Sequence, residues 1–375
     1  MSGRAIFSAV GDIGLHGRAG EEIIARGPDW AFAPAAGILG RADILFGNLE
    51  IPFSGPEARP ARRDISSGYR SEPETAAALR SGGFDVVSLA NNHIMDYGAE
   101  GLETTIAILE REGIMHVGAG MGEAEARRPV VVERNGRRIG ITACAMKGTH
   151  TAGGGRPGAA PLDERILEDI RALKERTDSV VVSVHFGKIF TDFPTREDQA
   201  AARRMIDAGA DAVIGHHSHV VQGIERYGEG IIAYSLGEFI FDPAAGFVEA
   251  AQMVGLRRRS MVLEIGFGDT KVEAEPVPVV AGEDLRPVPV EGRAREEFLD
   301  RLVSISRVLP RYDIDFEGHL AERIVSHETK VALYNLRRGN IMYILRKLPR
   351  MRPGHAVAII RAGLGGIFGR KREGR

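Results

Sequence analysis

Three things are scarce in this sequence, and each scarcity excludes a class of protein. The 375 residues include one cysteine, Cys144, so the chain cannot form an internal disulfide, and a reducing compartment is expected. No window approaches the run of about 20 apolar residues that a transmembrane helix needs, and the apolar stretch at the N-terminus is too short for a signal peptide. The net charge of -2 carries no nucleic-acid signature. These absences predict a cytoplasmic protein without a nucleic-acid partner.

What is present is the pattern of an α/β protein. Short apolar runs, several of them β-branched throughout as in strands covered on both faces, alternate with helical patterns. The predicted strands are 5–10, 44–47, 86–89, 130–132, 139–143, 180–184, 212–214, 231–234 and 261–265. The predicted helices are 73–80, 102–112, 165–175 and 195–208. Asn135-Gly136 between two apolar runs predicts a hairpin, so the sheets are expected to be mixed.

Two stretches rich in glycine and proline interrupt this pattern. Residues 149–161 are predicted to be a loop, and residues 276–289 an extended connection that closes the main domain or leads into a helical part. Helical patterns follow at 293–307 and 320–334. We therefore predict a main domain over residues 1–290 and a helical extension over residues 291–375.

The end of the chain is basic. From Arg337 onward there are eleven lysines and arginines against one acid, Glu373, with apolar residues between them. A basic amphipathic segment of this kind can lie on an anionic membrane surface, which would place the protein at the inner face of the membrane. The alternative is a helix packed on the domain, followed by a frayed cationic end.

Polar side chains follow five of the predicted strands. In buried-strand α/β folds, ligands collect outside the carboxyl ends of the strands, and carboxylate, amide and imidazole groups are ligands for Mn, Fe or Zn. The residues concerned are Asp12, Asn48, Glu50, Asn91, Asn92, His93, His185, His216, His217 and His219. We predict one metal site from this set, the alternative being a hydrogen-bonded polar rim without metal. The other histidines, at 16, 116, 150, 319, 327 and 355, are expected on the surface or in structural roles.

The same residues lie in a series of motifs that resembles a known family. In chain order these are Gly11-Asp12, Asn48-Leu49-Glu50, Ala90-Asn91-Asn92-His93 with Asp96-Tyr97-Gly98, Val184-His185-Phe186-Gly187, Gly215-His216-His217-Ser218-His219 and Tyr234-Ser235-Leu236-Gly237. They resemble the CapA family, named for poly-γ-glutamate capsule synthesis, within the calcineurin-like metallophosphoesterase superfamily. The resemblance covers roughly residues 5 to 245.

The resemblance implies a calcineurin-like fold of two packed mixed β-sheets flanked by helices, with two divalent metal ions (Mn, Fe or Zn) at the strand ends. The implied ligands are Asp12 and His219 for the first metal, Glu50 as the bridge, and Asn92, His185 and His217 for the second. His93 would be a proton donor or charge stabiliser rather than a ligand. Asp96 either orients His93 or caps the following helix.

Four positions depart from the family pattern. Gly14 stands where the superfamily has a histidine, and His16, two residues further on, either replaces it or does not. Glu238 stands where CapA-like proteins usually have asparagine, which would alter the substrate preference or the number of metals. Ile189 replaces an expected glutamate, and Ser218 replaces the usual proline.

Four more side chains are candidates for contacting the substrate. Arg70 and Lys188 could receive a phosphate or carboxylate, the alternative being solvated surface positions. His216 and Glu238 are adjacent to the predicted ligands in sequence or motif.

Three functions fit these features. The leading hypothesis is a metal-dependent hydrolase of a phosphoester or related anionic substrate, small or polymeric. The second is a non-catalytic or accessory protein in the assembly of an anionic envelope polymer such as poly-γ-glutamate. In the third, the metal has a structural role only.

Overall fold

A computed structural model describes residues 3–61, 69–148, 150–242, 258–269, 271–312, 314–316 and 318–319. Its α-helices are α1 Gly17–Arg26, α2 Ala36–Leu39, α3 Ala77–Ser81, α4 Gly98–Arg111, α5 Glu123–Ala126, α6 Arg165–Lys174, α7 Arg196–Asp207 and α8 Gly292–Arg307. Its strands are β1 Ala5–Ile13, β2 Ile44–Leu49, β3 Val86–Ser88, β4 Met115–Val117, β5 Ala119–Gly120, β6 Val130–Arg134, β7 Arg137–Ala145, β8 Gly158–Ala159, β9 Ser179–His185, β10 Ala212–His216, β11 Ile224–Tyr227, β12 Gly230–Ala233, β13 Glu238–Ile240, β14 Arg259–Phe267, β15 Glu273–Ala281 and β16 Pro287–Pro289.

Two mixed sheets contain most of these strands. The first has the order β16-β15-β14-β1-β2-β3-β4, and β13 also pairs with β1. Strands β1 to β4 and β13 are parallel to one another, whereas β14 is antiparallel to β1, and β15 and β16 continue the antiparallel pairing. The second has the order β11-β12-β10-β9-β7-β6, with a parallel centre and antiparallel edges. Strands β5 and β8 form a small separate pair.

The second sheet is buried on both faces, as its continuous apolar runs predict. Because successive side chains of a strand point to opposite faces, Ile141 and Val181 join the core shared with the first sheet, where they meet Phe7 and Phe46. Val182 points the other way, into a second core that the apolar sides of α6 and α7 complete. The result is two packed sheets with helices outside, which confirms the predicted architecture.

All nine predicted strands are present, most of them extended by one to three residues at an end. The four predicted helices are also confirmed, the first beginning as a 3-10 turn over Pro73–Ala76 before α3. Asn135 and Gly136 have φ angles of 54° and 74°. They connect β6 and β7 in register, as the Asn-Gly signal predicts.

Residues 276–289 are extended, as predicted, but they pair in the first sheet instead of forming only a connection, since the segment contributes to β15 and all of β16. Pro278 accepts a hydrogen bond from the backbone N–H of Val290, on the side away from β14. Because the nitrogen and the carbonyl of one strand residue point to the same side, the nitrogen of Pro278, which carries no hydrogen, also faces away from β14. The nitrogen of Pro276, two residues earlier, faces the same way. Neither proline removes a hydrogen bond from the β14 ladder, which is where proline is tolerated in a sheet.

Helix α8 confirms the helical pattern predicted at 293–307. Its residues Phe298, Leu302 and Ile305 belong to the same core as the first sheet. The further helix predicted at 320–334 and the basic segment from Arg337 onward lie outside the described residues. Within the described ranges, no helix is long and apolar enough to span a membrane.

Candidate metal centre

Strand register brings the predicted ligands to one end of the two sheets. In the first sheet, Asp12 on β1 is opposite Asn48 on β2 and opposite Glu238 on β13. In the second, His216 at the end of β10 is opposite His185 at the end of β9. Since the parallel strands of a sheet end at the same edge, side chains that are distant in the sequence become lateral neighbours.

One group of potential ligands consists of Asp12, Glu50 and His219. One donor atom from each of them can be chosen so that all three lie within 4.8 Å of one another. Asp12 and Glu50 are fully buried. The Nδ1 atom of His219 is 3.5 Å from Asp12 Oδ2, and its Nε2 atom is 3.7 Å from Glu50 Oε1. These are three of the ligands that the resemblance implies.

A second group consists of Asn92, His185 and His217. The Nε2 atom of His185 is 2.7 Å from Asn92 Oδ1 and 3.1 Å from His217 Nδ1. An amide oxygen and two imidazole nitrogens therefore point to a common place. This donor set suits a borderline divalent cation such as Zn, Fe or Mn. The structure thus brings all six predicted ligands together, in two adjacent groups.

Asn48 connects the two groups. Its Nδ2 atom donates a hydrogen bond to Asp12 Oδ1 at 2.8 Å and lies 3.5 Å from His185 Nδ1. Burial by itself would raise the pKa of Asp12, but contact with His216, the nearby His219 and the Asn48 hydrogen bond bring it below its usual value. Asp12 is therefore ionised at neutral pH, as a metal ligand must be.

Buried polar atoms without a hydrogen bond give a test of whether these residues fit a metal. Among the described residues, Asp12 Oδ2, Asn48 Oδ1 and His216 Nε2 are buried with no hydrogen-bond partner. An unsatisfied buried polar group costs about 1–3 kcal/mol, so such groups are rare unless they serve a ligand. Asp12 Oδ2 belongs to the first ligand group, where a cation would satisfy it, so the residues fit a metal.

The imidazoles of the second group are held neutral. Burial, followed by the neighbouring His217, lowers the pKa of His185 well below its ordinary value. Burial, followed by the neighbouring His219, lowers the pKa of His217 to about 3. A histidine must be unprotonated to bind a metal, so both rings are in the required state across the physiological range.

Local backbone geometry turns the last two histidines toward the site. His217 and His219 have φ angles of 89° and 58°, in the left-handed region that non-glycine residues seldom adopt. Conformations of this kind are costly and cluster at functional sites. Just before them, a Cβ on Gly215 would lie 2.0 Å from the carbonyl oxygen of Tyr234, so only glycine fits there.

The structure decides the role of Asp96. Its Oδ2 atom is 2.7 Å from His93 Nδ1, and α4 begins after Tyr97 without a side-chain cap. Asp96 therefore orients His93 rather than capping the helix. Asp96 is thus placed to accept a proton from Nδ1 of His93. The opposite ring nitrogen, Nε2, faces Glu50 and lies 3.8 Å from its Oε1 atom.

Two further residues hold His93, one from the backbone side and one at the ring. Asn91 Oδ1 accepts hydrogen bonds from the backbone N–H groups of His93 and Ile94. The ring of Tyr69 stacks on His93 with centroids 5.1 Å apart, and His16 stacks on Tyr69 at 5.6 Å. Tyr69 was not predicted as part of the site, because stacking between remote segments leaves no mark in the sequence. His16, for which the sequence allows either a site role or a structural one, is buried in this stack.

The weaker candidates for substrate contact are less favourably placed. Arg70 is paired with Glu72 and also donates to the backbone carbonyl of Ser54, so its guanidinium is engaged within the protein. Lys188 is exposed. His216 is 1% exposed, and its Nδ1 atom lies 3.2 Å from Asp12 Oδ1, so it contacts a ligand rather than the surface.

The departures from the family pattern have different consequences. A Cβ on Gly14 would lie 2.7 Å from His16 Nδ1, so the His16 ring occupies the space that a side chain at position 14 would need. Burial lowers the pKa of His16 to about 4. Ile189 is 48% exposed. Ser218 is buried, and its hydroxyl donates to the backbone of Val220, which a proline could not do.

These features define an α/β protein of two packed sheets whose strand ends carry a buried cluster of potential metal ligands. The chain belongs to the bacterial capsule synthesis protein PGA_cap family, whose model matches residues 6–243. The matched segment contains every residue of the cluster, while α8 and the residues beyond it lie outside the match.

Several named proteins are similar to this chain in sequence. The capsule biosynthesis protein CapA of Bacillus anthracis is 35% identical over 246 residues, covering 63% of this chain and 59% of the relative. The PGA biosynthesis protein CapA of Bacillus subtilis is 33% identical over 243 residues, covering 63% of each. A probable polyglutamine synthesis accessory protein of Mycobacterium tuberculosis is 31% identical over 274 residues, covering 63% of this chain and 72% of the relative. The chain thus spans about three fifths of the length of the two CapA proteins.

Two solved structures match the chain at lower sequence identity. A hypothetical protein from Thermus thermophilus has a TM-score of 0.45 and 17% identity, covering 73% of this chain and 98% of that one. A 5′-nucleotidase from Candida albicans has a TM-score of 0.45 and 11% identity, covering 75% of this chain and 52% of that one.

Proposed function

We propose that this protein is a metal-dependent hydrolase of a phosphoester or related anionic substrate, with two divalent cations held at the strand ends. The observation that carries the proposal is the convergence of six predicted ligands in two adjacent groups. Asp12, Glu50 and His219 would hold one cation. Asn92, His185 and His217 would hold the other, with Glu50 as the bridge.

A pair of bound cations lowers the pKa of a coordinated water and offsets the charge that develops on the substrate oxygens. The protein itself contributes orientation and proton transfer. Asn48 keeps Asp12 in place through its hydrogen bond, and the low pKa of His217 keeps that ring available as a neutral donor. Asp96 holds the proton of His93 on Nδ1. A protonated His93 can then donate from Nε2 to a leaving group.

Metal analysis and a panel of phosphate esters test this proposal. Purified protein should bind about two Mn, Fe or Zn ions and hydrolyse at least one ester. His217→Ala should remove both metal at the second group and activity. His116→Ala is the matched control, because His116 lies on β4 and lines a cavity with Glu110, Glu125 and Arg128 rather than a ligand group. Turnover that persists in a metal-free preparation would refute the proposal.

A second candidate is an accessory role in the synthesis of an anionic envelope polymer, with the protein at the inner face of the membrane. It is favoured by the names of the relatives and by the basic residues from Arg337 to Arg375. Binding to poly-γ-glutamate or anionic vesicles should then weaken with added salt and disappear when residues 337–375 are deleted. Metal binding without hydrolysis of any ester, together with loss of polymer binding on deletion, would favour this role over the first.

A further inference from the structure

Glu238, the first residue of β13, is a buried carboxylate beside the first ligand group. It is 4% exposed and lies beside Asp12 in the sheet register. Its Oε1 atom is 3.2 Å from Nδ1 of His219.

His219 lies among three carboxylates, and its two ring nitrogens face different ones. Nδ1 faces Glu238 at 3.2 Å and Asp12 Oδ2 at 3.5 Å, while Nε2 faces Glu50 at 3.7 Å. A neutral imidazole binds a cation through one nitrogen and carries its proton on the other. The partner of the protonated nitrogen therefore decides which nitrogen is left for the cation.

We propose that Glu238 is a positioning residue for His219. This proposal rests on the proposed function. A cation held by Asp12 and Glu50 would engage Asp12 Oδ2. Glu238, the nearer of the two carboxylates at Nδ1, would then accept the Nδ1 proton, which has no hydrogen-bond partner in this structure. Nε2 of His219 then points to the cation, beside Glu50. The arrangement is a carboxylate–histidine–metal relay in which Glu238 does not itself touch the metal.

A carboxylate positions an imidazole differently from an amide. A hydrogen bond to an ionised acceptor is shorter and roughly twice as strong as one to a neutral acceptor. It also increases the electron density on the opposite ring nitrogen, so Nε2 becomes a stronger donor to the cation. The negative charge of Glu238 adds to that of Asp12 and Glu50. Both effects predict that Glu238 tightens cation binding at the first group.

The charges around His219 distinguish a positioning role of Glu238 from a merely structural one. In the metal-free protein, three carboxylates around one imidazole repel one another, so neutralising one of them should not reduce stability. With the cation present, the same change removes a favourable interaction. Glu238→Gln should therefore leave the melting temperature of the metal-free protein unchanged or raised, while weakening cation binding. A buried residue that only packs would show the opposite pattern.

The test is a titration of chelator-treated full-length protein with Co²⁺, followed by calorimetry and by the Co²⁺ absorption spectrum. Wild type should bind two ions. Glu238→Gln and Glu238→Asn should weaken one of them by about 10- to 100-fold and leave the other unchanged. Glu225→Gln is the matched control, since Glu225 is a similarly buried carboxylate paired with Arg203 and Tyr234 on an edge strand. It should lose thermal stability and keep both affinities.

A double-mutant cycle shows whether Glu238 acts through His219. The loss of Co²⁺ affinity caused by Glu238→Gln should be clearly smaller in the His219→Ala background than in wild type, because only the direct effect of the charge remains there. Equal Co²⁺ affinity of wild type and Glu238→Gln, or additive losses in the cycle, would overturn the positioning role while leaving the proposed function intact. A wild-type protein that binds no Co²⁺, Mn²⁺ or Zn²⁺ would overturn both.

Discussion

The Nδ1 atom of His93 lies 2.7 Å from the Oδ2 atom of Asp96, and the opposite ring nitrogen faces Glu50. Two carboxylates therefore flank this imidazole, but only Asp96 is within hydrogen-bond distance. A carboxylate at this distance from one ring nitrogen favours a proton on that nitrogen and restricts the orientation of the ring.

We expect His93→Gln to lower kcat by about 10²–10⁴-fold, the range that a positioned acid or base contributes. Asp96→Asn should lower kcat in the same direction, because an amide does not hold the imidazole proton on Nδ1 as a carboxylate does. Neither change should alter the metal content, since neither side chain is a proposed ligand. Steady-state kinetics on the best ester, with metal analysis of the same samples, checks both statements. An unchanged kcat in His93→Gln would remove this residue from the mechanism.

Bound metal should stabilise the fold. A ligand that binds only the native state at about 100 times its dissociation constant adds about 2.7 kcal/mol. Mn²⁺ should therefore raise the melting temperature of the chelator-treated wild type, and chelator should reverse the increase. His217→Ala should show a smaller increase because the second group has lost a ligand, whereas His116→Ala should behave like wild type. Equal shifts in wild type and His217→Ala would argue against His217 as a ligand.

The buried His16 should make the metal-free protein sensitive to mild acid. An unfolded histidine titrates near 6.5, whereas burial lowers the pKa of His16 in the folded protein to about 4. Between these values only the unfolded chain takes up the proton, so stability falls as the pH falls through this window. The loss is about 1.4 kcal/mol per pH unit, or about 2 kcal/mol between pH 6.5 and pH 5.

Urea unfolding of wild type and His16→Gln at pH 7 and pH 5, with chelator present, measures this contribution. The drop in unfolding free energy between the two pH values should be smaller in His16→Gln by about 2 kcal/mol. Equal drops would show that His16 is not the group that titrates. His217, whose pKa burial lowers to about 3, should contribute in the same direction in both proteins.

Gly215 should tolerate no side chain. A Cβ there would lie 2.0 Å from the carbonyl oxygen of Tyr234, a backbone atom that cannot move aside without separating β10 from its neighbour β12. We expect Gly215→Ala to cost about 3 kcal/mol or more and to displace His217. Gly37→Ala in α2 is the control, because nothing lies within 4 Å of its Cβ and alanine favours helix. Urea unfolding and Mn²⁺ binding compare the two, and a stable Gly215→Ala protein with normal Mn²⁺ binding would contradict the clash.

Local patterns were sufficient to predict most strands and helices. Runs such as 180–184 are apolar on both faces because β9 is covered on both faces, and Asn135-Gly136 adopts the positive φ angles that a tight hairpin needs. That residues 276–289 pair as strands was not predictable, for a physical reason. Proline normally breaks a strand, and it is tolerated in β15 because the backbone nitrogens of Pro276 and Pro278 face away from β14, which depends on strand pairing.

The sequence by itself determined the α/β architecture and the position of Asp12, Glu50, Asn92, His185, His217 and His219 at strand ends, because apolar periodicity and the residues that terminate it are local properties. Only the tertiary structure decided how these side chains face one another. Asn48 lies between Asp12 and His185, and Asp96 contacts His93 instead of capping the following helix. The His16 ring lies over Gly14, and Glu238 lies beside Nδ1 of His219. Such contacts depend on the register of strands that are far apart in the chain, and register is set by the packing of the whole sheet rather than by any one segment.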